Sequence, residues 1–169
     1  EAADGSLLTR RYFSSSVDQV IVVRAETSGG GLHGFALALY SKLRSVVTLD
    51  NDEAVVVADA PSSVVWPGVD DRVAFGEGIF YDEAPPRRCA TVARIVRDAS
   101  GDSVTVLVAT ATTDSAADPV AHCGAVLDRA AALGFDALQK RHIEAHHALF
   151  SRVSLRLGAD DGPTYLPTN

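Results

Sequence analysis

The hydrophobic positions in the first two thirds of the chain follow the short period that is typical of β-strands. Residues 18–26, DQVIVVRAE, form a β-branched run that is apolar on both faces, between a serine-rich turn and the SGGG stretch. This pattern predicts a central strand of a packed sheet. Residues 33–41 alternate, with Phe35, Leu37 and Leu39 on one face, and predict another strand.

Two pairs of apolar runs are joined by short polar turns and predict β-hairpins. SVVTL at 45–49 and AVVVA at 54–58 are connected by DNDE, whose residues are favoured in tight turns. RRCATVARIV at 87–96 and SVTVLVATA at 103–111 flank DASGD in the same way. Strands at this spacing, with no helix between them, predict a mainly β fold built as an antiparallel β-sandwich.

The period changes near residue 118, where we predict two helices after the sandwich. Asp118 and Pro119 form an N-cap and first-turn pair, and the first helix is expected to end at Gly134. A second helix begins near Phe135, and its apolar side chains share one stripe that is expected to pack against other structure. The stripe consists of Phe135, Leu138, Ala145, Leu149 and Val153.

Length and composition place these elements in one domain with a short appendage. The chain has 169 residues, of which 47% are hydrophobic and 22% charged, which suffices for one buried core. The last stretch, 159–169, is rich in glycine and proline and predicts a linker. The sequence contains no methionine, so we expect it to be a fragment of a longer protein.

The charge balance argues against nucleic acid and membranes as partners. The chain carries 15 basic and 22 acidic residues, a formal charge of -7, without the basic and aromatic clusters of nucleic-acid surfaces. No stretch approaches the roughly 18 apolar residues of a membrane span. The two cysteines, Cys89 and Cys123, permit one disulfide at most, and the sequence leaves open whether they are bridged or reduced.

Residues 141–158, RHIEAHHALFSRVSLRLG, place three histidines on one helix and raise the question of a metal site. His142 and His146 are one helical turn apart and could share an ion, whereas His147 faces away. Glu144 does not directly follow the first histidine, as the glutamate of a metalloprotease motif does. The pattern therefore favours a packed, hydrogen-bonded histidine at position 142, and we predict neither metal nor cofactor.

No catalytic or nucleotide-binding motif frames the remaining polar residues. The glycines that begin in SGGG follow a predicted strand but do not precede a helix, as those of a dinucleotide-binding loop do, and the sequence contains no P-loop and no GxSxG nucleophile motif. Trp66, the only tryptophan, lies in SSVVWPGVDD. Two interpretations of Trp66 stay open, a stacking platform for a sugar and a half-buried loop anchor.

Four segments carry a family resemblance. They are YFSSSVDQVIVVRAE (12–26), APSSVVWP (60–67), ATATTDSAADPVAHCGAVLDRAAALGFDALQKRHIEAHHALFSRVSLRLG (109–158) and YLPTN (165–169). In this order they resemble segments of glycoside hydrolase family 95, which is best known for α-L-fucosidases. The resemblance implies a large, secreted, inverting hydrolase with an N-terminal β-sandwich domain, a helical linker, an (α/α)₆ catalytic barrel and a C-terminal β domain.

The resemblance also implies a role for each part of this chain. Residues 1–113 resemble part of the N-terminal β-sandwich domain, 114–158 the helical linker, and 159–169 the start of the connection to the barrel. The family's catalytic acid and base lie in the barrel, so no catalytic residue is assigned here. The linker packs between sandwich and barrel in the family, which implies four domain-interface residues. These are His142, Leu149, Phe150 and Arg152, the last as a salt-bridge or capping partner.

One departure from the family pattern concerns the linker. Ala145 stands where the family usually has an acidic residue three positions after the histidine, so any pairing made by that acidic residue is absent.

The resulting expectation is a non-catalytic N-terminal fragment of a secreted α-L-fucosidase-like hydrolase that braces its partner, the catalytic barrel. The alternative is a carbohydrate-binding β-sandwich module without hydrolase activity, in which Trp66 contacts an oligosaccharide. A third hypothesis is that the chain is a proteolytic remnant of the enzyme, whose missing strands remain associated with it as a second chain. An incomplete sandwich is expected to expose a strand edge and the apolar helix stripe, and both favour association.

Overall fold

The computed structural model describes residues 6–29, 31–32, 34–65, 78–82 and 86–154. In these ranges the chain forms a succession of strands followed by two helices. The strands are β1 (Leu8–Ser15), β2 (Val20–Thr27), β3 (Ser45–Asp50), β4 (Glu53–Asp59), β5 (Ser63–Val64), β6 (Ile79–Phe80), β7 (Arg88–Arg97) and β8 (Ser103–Thr112). The helices are α1 (Pro119–Leu133) and α2 (Phe135–Phe150).

Six of these strands form one antiparallel sheet, in the order β1-β2-β8-β7-β4-β3, and β5 pairs with β6 in a small second sheet. The fold is therefore mainly β and antiparallel, with two helices at its C-terminal end, and the predicted class is confirmed. The apolar run at 18–26 forms β2, which lies inside the sheet between β1 and β8.

Apolar side chains cover both faces of the six-stranded sheet. The face that packs on the helices contains the larger core, formed by Val20, Val22, Val92, Leu107, Ala109, Ala111, Cys123, Val126, Leu127, Ala130, Phe135 and Leu138. The opposite face carries a second cluster, formed by Ala93, Ile95, Val104 and Val106, with Leu32, Phe35, Leu37 and Leu39 packed against it. Alternation along each strand divides the side chains between these two cores.

The prediction of a strand at 33–41 is wrong for the residues that the structure describes. Residues 35–40 form neither helix nor strand. Phe35, Leu37 and Leu39 share one face as predicted, but they pack on the second core. A segment that lies on the face of a sheet does not join its hydrogen-bonded ladder. The carbonyl oxygen of Phe35 instead accepts from the Arg97 guanidinium at 3.0 Å.

The two predicted hairpins form with the expected loops. In the first, Asp50 pairs with Glu53, and Asn51 between them has a φ of 41°, which asparagine tolerates. In the loop after β7, the Asp98 carboxylate accepts from the Gly101 N–H at 2.7 Å and from the hydroxyls of Ser100 and Ser103. These hydrogen bonds, led by that of Ser103, lower the pKa of Asp98 to about 2.

The helix α1 begins and ends at the predicted residues, whereas α2 begins at Phe135 as predicted but ends at Phe150, before Val153. The Asp118 side chain caps α1 by accepting from the Ala121 N–H at 3.0 Å, and Pro119 occupies the first turn. Gly134, with a φ of 75°, ends α1 and directly precedes α2. Arg94 of β7 ties α1 to the sheet, because it donates to Asp128 at 2.6 Å and to Glu53 of β4 at 2.7 Å.

Replacing Gly134 by alanine is expected to lower the free energy of unfolding by about 1–3 kcal/mol, because a side chain is strained at this φ and ψ. In the described part of the chain no heavy atom lies within 4 Å of the position that a Cβ would take, so the cost is backbone strain. Gly124→Ala, in the interior of α1 with equally open surroundings, is the control and should stabilise by about 0.5–1 kcal/mol. Urea denaturation measures both changes, and an equal loss at the two glycines would contradict the expectation.

Asp98→Asn is expected to remove a contribution to stability that depends on pH. Because the folded pKa of Asp98 lies below that of the unfolded chain, the ionised carboxylate stabilises the native loop above about pH 4. This contribution is lost as the pH falls from about 4 towards 2. The difference in unfolding free energy between the parent chain and Asp98→Asn should therefore shrink in that window.

Asp102→Asn is the control for Asp98→Asn. The described hydrogen bonds of Asp102, in the same loop, are made by its backbone, to Thr27 and Ser100. Denaturation curves recorded between about pH 2 and pH 7 should show the pH-dependent difference for Asp98→Asn alone.

Candidate functional site

The two halves of α2 differ in burial, and this difference defines the candidate site. In the first half, Phe135 and Leu138 are buried in the core that faces the sheet. In the second half, Leu149 and Phe150 are 60% and 69% exposed, and Val153, just beyond the helix, is 79% exposed. We call Leu149, Phe150 and Val153 the exposed stripe. An apolar surface thus begins in the core and continues into solvent.

Two arginines of the sheet hold the first turn of α2. The guanidinium carbons of Arg11 and Arg24 lie 4.8 and 4.9 Å from the centroid of the Phe135 ring, in cation–π geometry. Glu26 accepts from Arg24 at 2.8 Å and also from Arg11, and these hydrogen bonds, that of Arg11 foremost, lower the pKa of Glu26. The carboxylate therefore balances both cations, and the start of α2 is fixed over β1 and β2.

An ion pair fixes the middle of α2 to the turn between β1 and β2. The Arg141 Nε donates to Asp18 Oδ1 at 2.9 Å. Asp18 is itself oriented by Ser15, a buried residue whose hydroxyl donates to Asp18 Oδ2 at 2.8 Å. The Asp18 side chain is almost fully covered, whereas Arg141 is 45% exposed, so this charge-assisted contact is shielded from solvent on the Asp18 side only.

A column of rings runs from the core to the exposed stripe. The His142 ring stacks on Phe13 of β1, with centroids 5.1 Å apart and planes at 23°. The His146 ring follows at 6.0 Å from His142 and stacks on Phe150 at 4.2 Å. An imidazole has an apolar body and polar nitrogens, which suits a column that passes from core to solvent.

This geometry bears on the question of a metal site. Among the described residues, no group of three His, Cys, Asp or Glu side chains is placed to hold a metal ion. The rings of His142 and His146 are each stacked on a phenylalanine.

Arg152, the remaining residue assigned to the domain interface, lies just beyond the end of α2. The Arg152 backbone N–H donates to the carbonyl oxygen of Leu149 at 3.2 Å, and the Arg152 side chain is exposed. Within the described ranges its guanidinium forms no ion pair, so the structure supplies no partner for the expected salt bridge. Trp66, the candidate sugar platform, and residues 159–169 lie outside the described residues.

The cysteines are free thiols. The Sγ atoms of Cys89 and Cys123 lie 3.9 and 3.8 Å from the same carbonyl oxygen, that of Ala90. Burial, with a smaller effect of Cys89, raises the pKa of the Cys123 thiol. A buried thiol with a raised pKa is a poor nucleophile, so Cys123 is a core residue rather than a reactive group.

One cavity of about 220 Å³ lies between the sheet and the junction of the two helices. Its polar side chains already have partners, since Arg24 donates to Thr105 at 3.2 Å and Ser103 donates to Asp98. It is also smaller than the roughly 300–1,000 Å³ of most small-molecule sites. This cavity is therefore a weaker candidate for function than the exposed stripe.

The residues of the sheet that anchor α2 were not predicted from the sequence. Arg11 and Phe13 belong to β1, a strand that the hydrophobic pattern did not predict because charged residues interrupt it. The sequence signal for this strand was the alternation of Arg11, Phe13 and Ser15, whose side chains all lie on the side of the sheet that faces the helices.

Fold and site together define a mainly β domain with a helical extension that ends in an exposed apolar surface. No family model matches the sequence, and the search of curated proteins found no significant match. No helix in the described ranges is long and apolar enough to span a membrane.

Two leucines of α2 provide a matched test of the difference between its halves. Leu138→Ala should lower the free energy of unfolding by about 2–5 kcal/mol, because Leu138 is fully buried. Leu149→Ala should change it by no more than about 0.5 kcal/mol, because Leu149 is exposed. Urea denaturation of the chain alone measures both, and a large loss at Leu149 would show that the stripe is covered within the chain.

Proposed function

We propose that this chain is the non-catalytic N-terminal part of a secreted glycoside hydrolase of the α-L-fucosidase type, and that it braces the catalytic barrel. The observation that carries the bracing role is the exposed stripe at the end of a helix that is anchored firmly at its start and middle. Contiguous exposed apolar side chains mark interaction surfaces. The chain therefore presents a rigid helix end to a neighbouring domain.

The ion pairs and hydrogen bonds of the charged side chains support a structural role. Arg94 bridges Glu53 and Asp128, Glu26 balances two arginines, and Asp98 orders a loop. Inverting glycosidases need two carboxyl groups on opposite sides of a bound sugar, separated by room for a water molecule. Under the proposal these groups belong to the barrel, and the carboxylates described here serve the fold.

The identity of the parent enzyme depends on the family resemblance. The resemblance orders the chain as a β domain followed by a helical linker, and a sheet followed by α1 and α2 agrees with that order. It also assigns His142, Leu149 and Phe150 to the domain interface. His142 contributes by stacking on Phe13, which supports the helix whose end carries the other two.

Burial of the exposed stripe in the parent would contribute substantially to the stability of the assembly. Each large apolar side chain that is fully removed from water stabilises by about 1.5–3 kcal/mol. His146 already covers one face of Phe150, so this ring would enter the interface ordered. The stripe therefore suits a permanent contact between domains.

The double variant Leu149→Asp with Phe150→Asp tests the proposal in the parent protein, expressed with its barrel. The parent should hydrolyse an aryl α-L-fucoside, whereas the 169-residue chain alone should not. The double variant should lower the thermal midpoint of the parent by several degrees, at about 2–4 °C per kcal/mol, because it places charges in the interface. It should affect the stability of the isolated chain much less, because both residues are exposed there and only the Phe150–His146 contact and the charges at the end of α2 change.

Tyr40→Asp is the control for the double variant, because Tyr40 is an aromatic residue away from α2 and is even more exposed than Phe150. It should affect neither protein. Turnover by the isolated chain, or a parent without glycosidase activity, would contradict the proposed function. An unchanged thermal midpoint of the double variant would contradict the bracing role.

A further inference from the structure

The two edges of the six-stranded sheet differ in their protection against pairing with another strand. Natural edge strands are commonly protected by charged residues, proline or bulges. At one edge, β1 carries Arg10 and Arg11 at its centre. At the other, β3 reads SVVTLD, and Val46, Val47 and Leu49 are 70%, 41% and 59% exposed. The second edge is apolar and β-branched at its centre, and its charged residues, Arg44 and Asp50, stand only at its ends.

The pairing of β3 with β4 shows which backbone groups of β3 face outward. Asp50 and Glu53 flank a two-residue loop and so form a hydrogen-bonded pair, and the Asp59 N–H donates to the Arg44 carbonyl oxygen at 2.9 Å. Even-numbered residues from 44 to 50 thus direct their backbone groups to β4. The N–H and C=O groups of Ser45, Val47 and Leu49 point away from the sheet, and in the described chain they have no partner.

We propose that this edge pairs with the same edge of a second copy of the chain, antiparallel, about a twofold axis through Val47. In this register Val47 lies opposite Val47 of the second copy, and Ser45 lies opposite its Leu49. All the outward-facing groups of both strands then form hydrogen-bonded pairs. Two six-stranded sheets join into one continuous sheet, in a self-complementary contact of the kind that cyclic dimers use.

Charge complementarity distinguishes a second copy from an unrelated strand. Arg44 precedes Val47 by as many residues as Asp50 follows it. The register that pairs the backbone therefore also places Arg44 opposite Asp50 of the second copy, at both ends of the contact. Arg44 is already ordered, since its guanidinium lies 4.3 Å from the Tyr81 ring centroid and donates to Asp59 at 2.7 Å. Less conformational entropy is lost when such a side chain forms a second ion pair.

Charge reversal tests both the contact and its register, with the mass of the full 169-residue chain measured by light scattering over a concentration series. The unmodified 169-residue chain should form a dimer. Arg44→Asp alone and Asp50→Arg alone should each weaken the dimer about ten-fold or more, because each creates two like-charge pairs. An equal mixture of the two variants should restore it as a one-to-one heterodimer, because both pairs are then opposite in charge.

Val47→Pro tests the backbone pairing separately. It removes an outward N–H at the axis, a position where an edge strand tolerates proline, so the variant should fold but remain monomeric. Circular dichroism and urea denaturation verify the fold. Arg10→Asp, a matched charge reversal on the opposite edge, should leave the dimer unchanged.

Three results would overturn the proposal. If the unmodified 169-residue chain stays monomeric throughout the concentration series, the β3 edge does not pair with a second copy. A dimer that survives Val47→Pro with unchanged affinity would exclude pairing through β3. A dimer that is lost in Leu149→Asp with Phe150→Asp, but kept in the charge reversals, would assign association to the exposed stripe.

Discussion

The burial of Phe135 and Leu138 against the sheet is the interaction on which the rest of the helical extension depends. These two residues complete the larger core, and they fix where α2 leaves it. Arg11 and Arg24 then hold the Phe135 ring, and Arg141, six residues further along α2, binds Asp18. The contacts act in series, because each orients the helix for the next. The exposed stripe owes its position to all of them.

The class of fold could be predicted from the sequence, because hydrophobic period and turn chemistry are local properties. Asp118, Pro119 and Gly134 marked the ends of α1, and the DNDE and DASGD loops marked two hairpins. The failures concern contacts between distant segments. A run such as 35–40 alternates in the same way whether it pairs with a strand or lies on a sheet face, and only the tertiary structure decides between them.

The candidate site was predictable in part for the same reason. The apolar stripe of α2 followed from helical spacing, and its first half packs as expected. The residue at which the stripe leaves the core could not be predicted, because it depends on where β1 ends. The hydrophobic pattern did not predict β1, since two arginines lie at its centre. The charges that hide β1 from a hydrophobic pattern also protect its edge and anchor α2, whereas β3, which the pattern revealed, has no charge at its centre.

The single residue between the helices gives α2 the mechanics of a lever. A helix of 16 residues is about 24 Å long, so a tilt of about 10° at Gly134 would move its far end by roughly 4 Å. That displacement is comparable to the width of a side chain, and it would take Phe150 out of register with any surface shaped to receive it. The ion pair at Arg141 and the ring contact at His142 lie near the middle of the lever, where they resist such a tilt. These residues therefore contribute mainly by keeping the angle between α2 and the sheet constant, and less by the strength of any one contact.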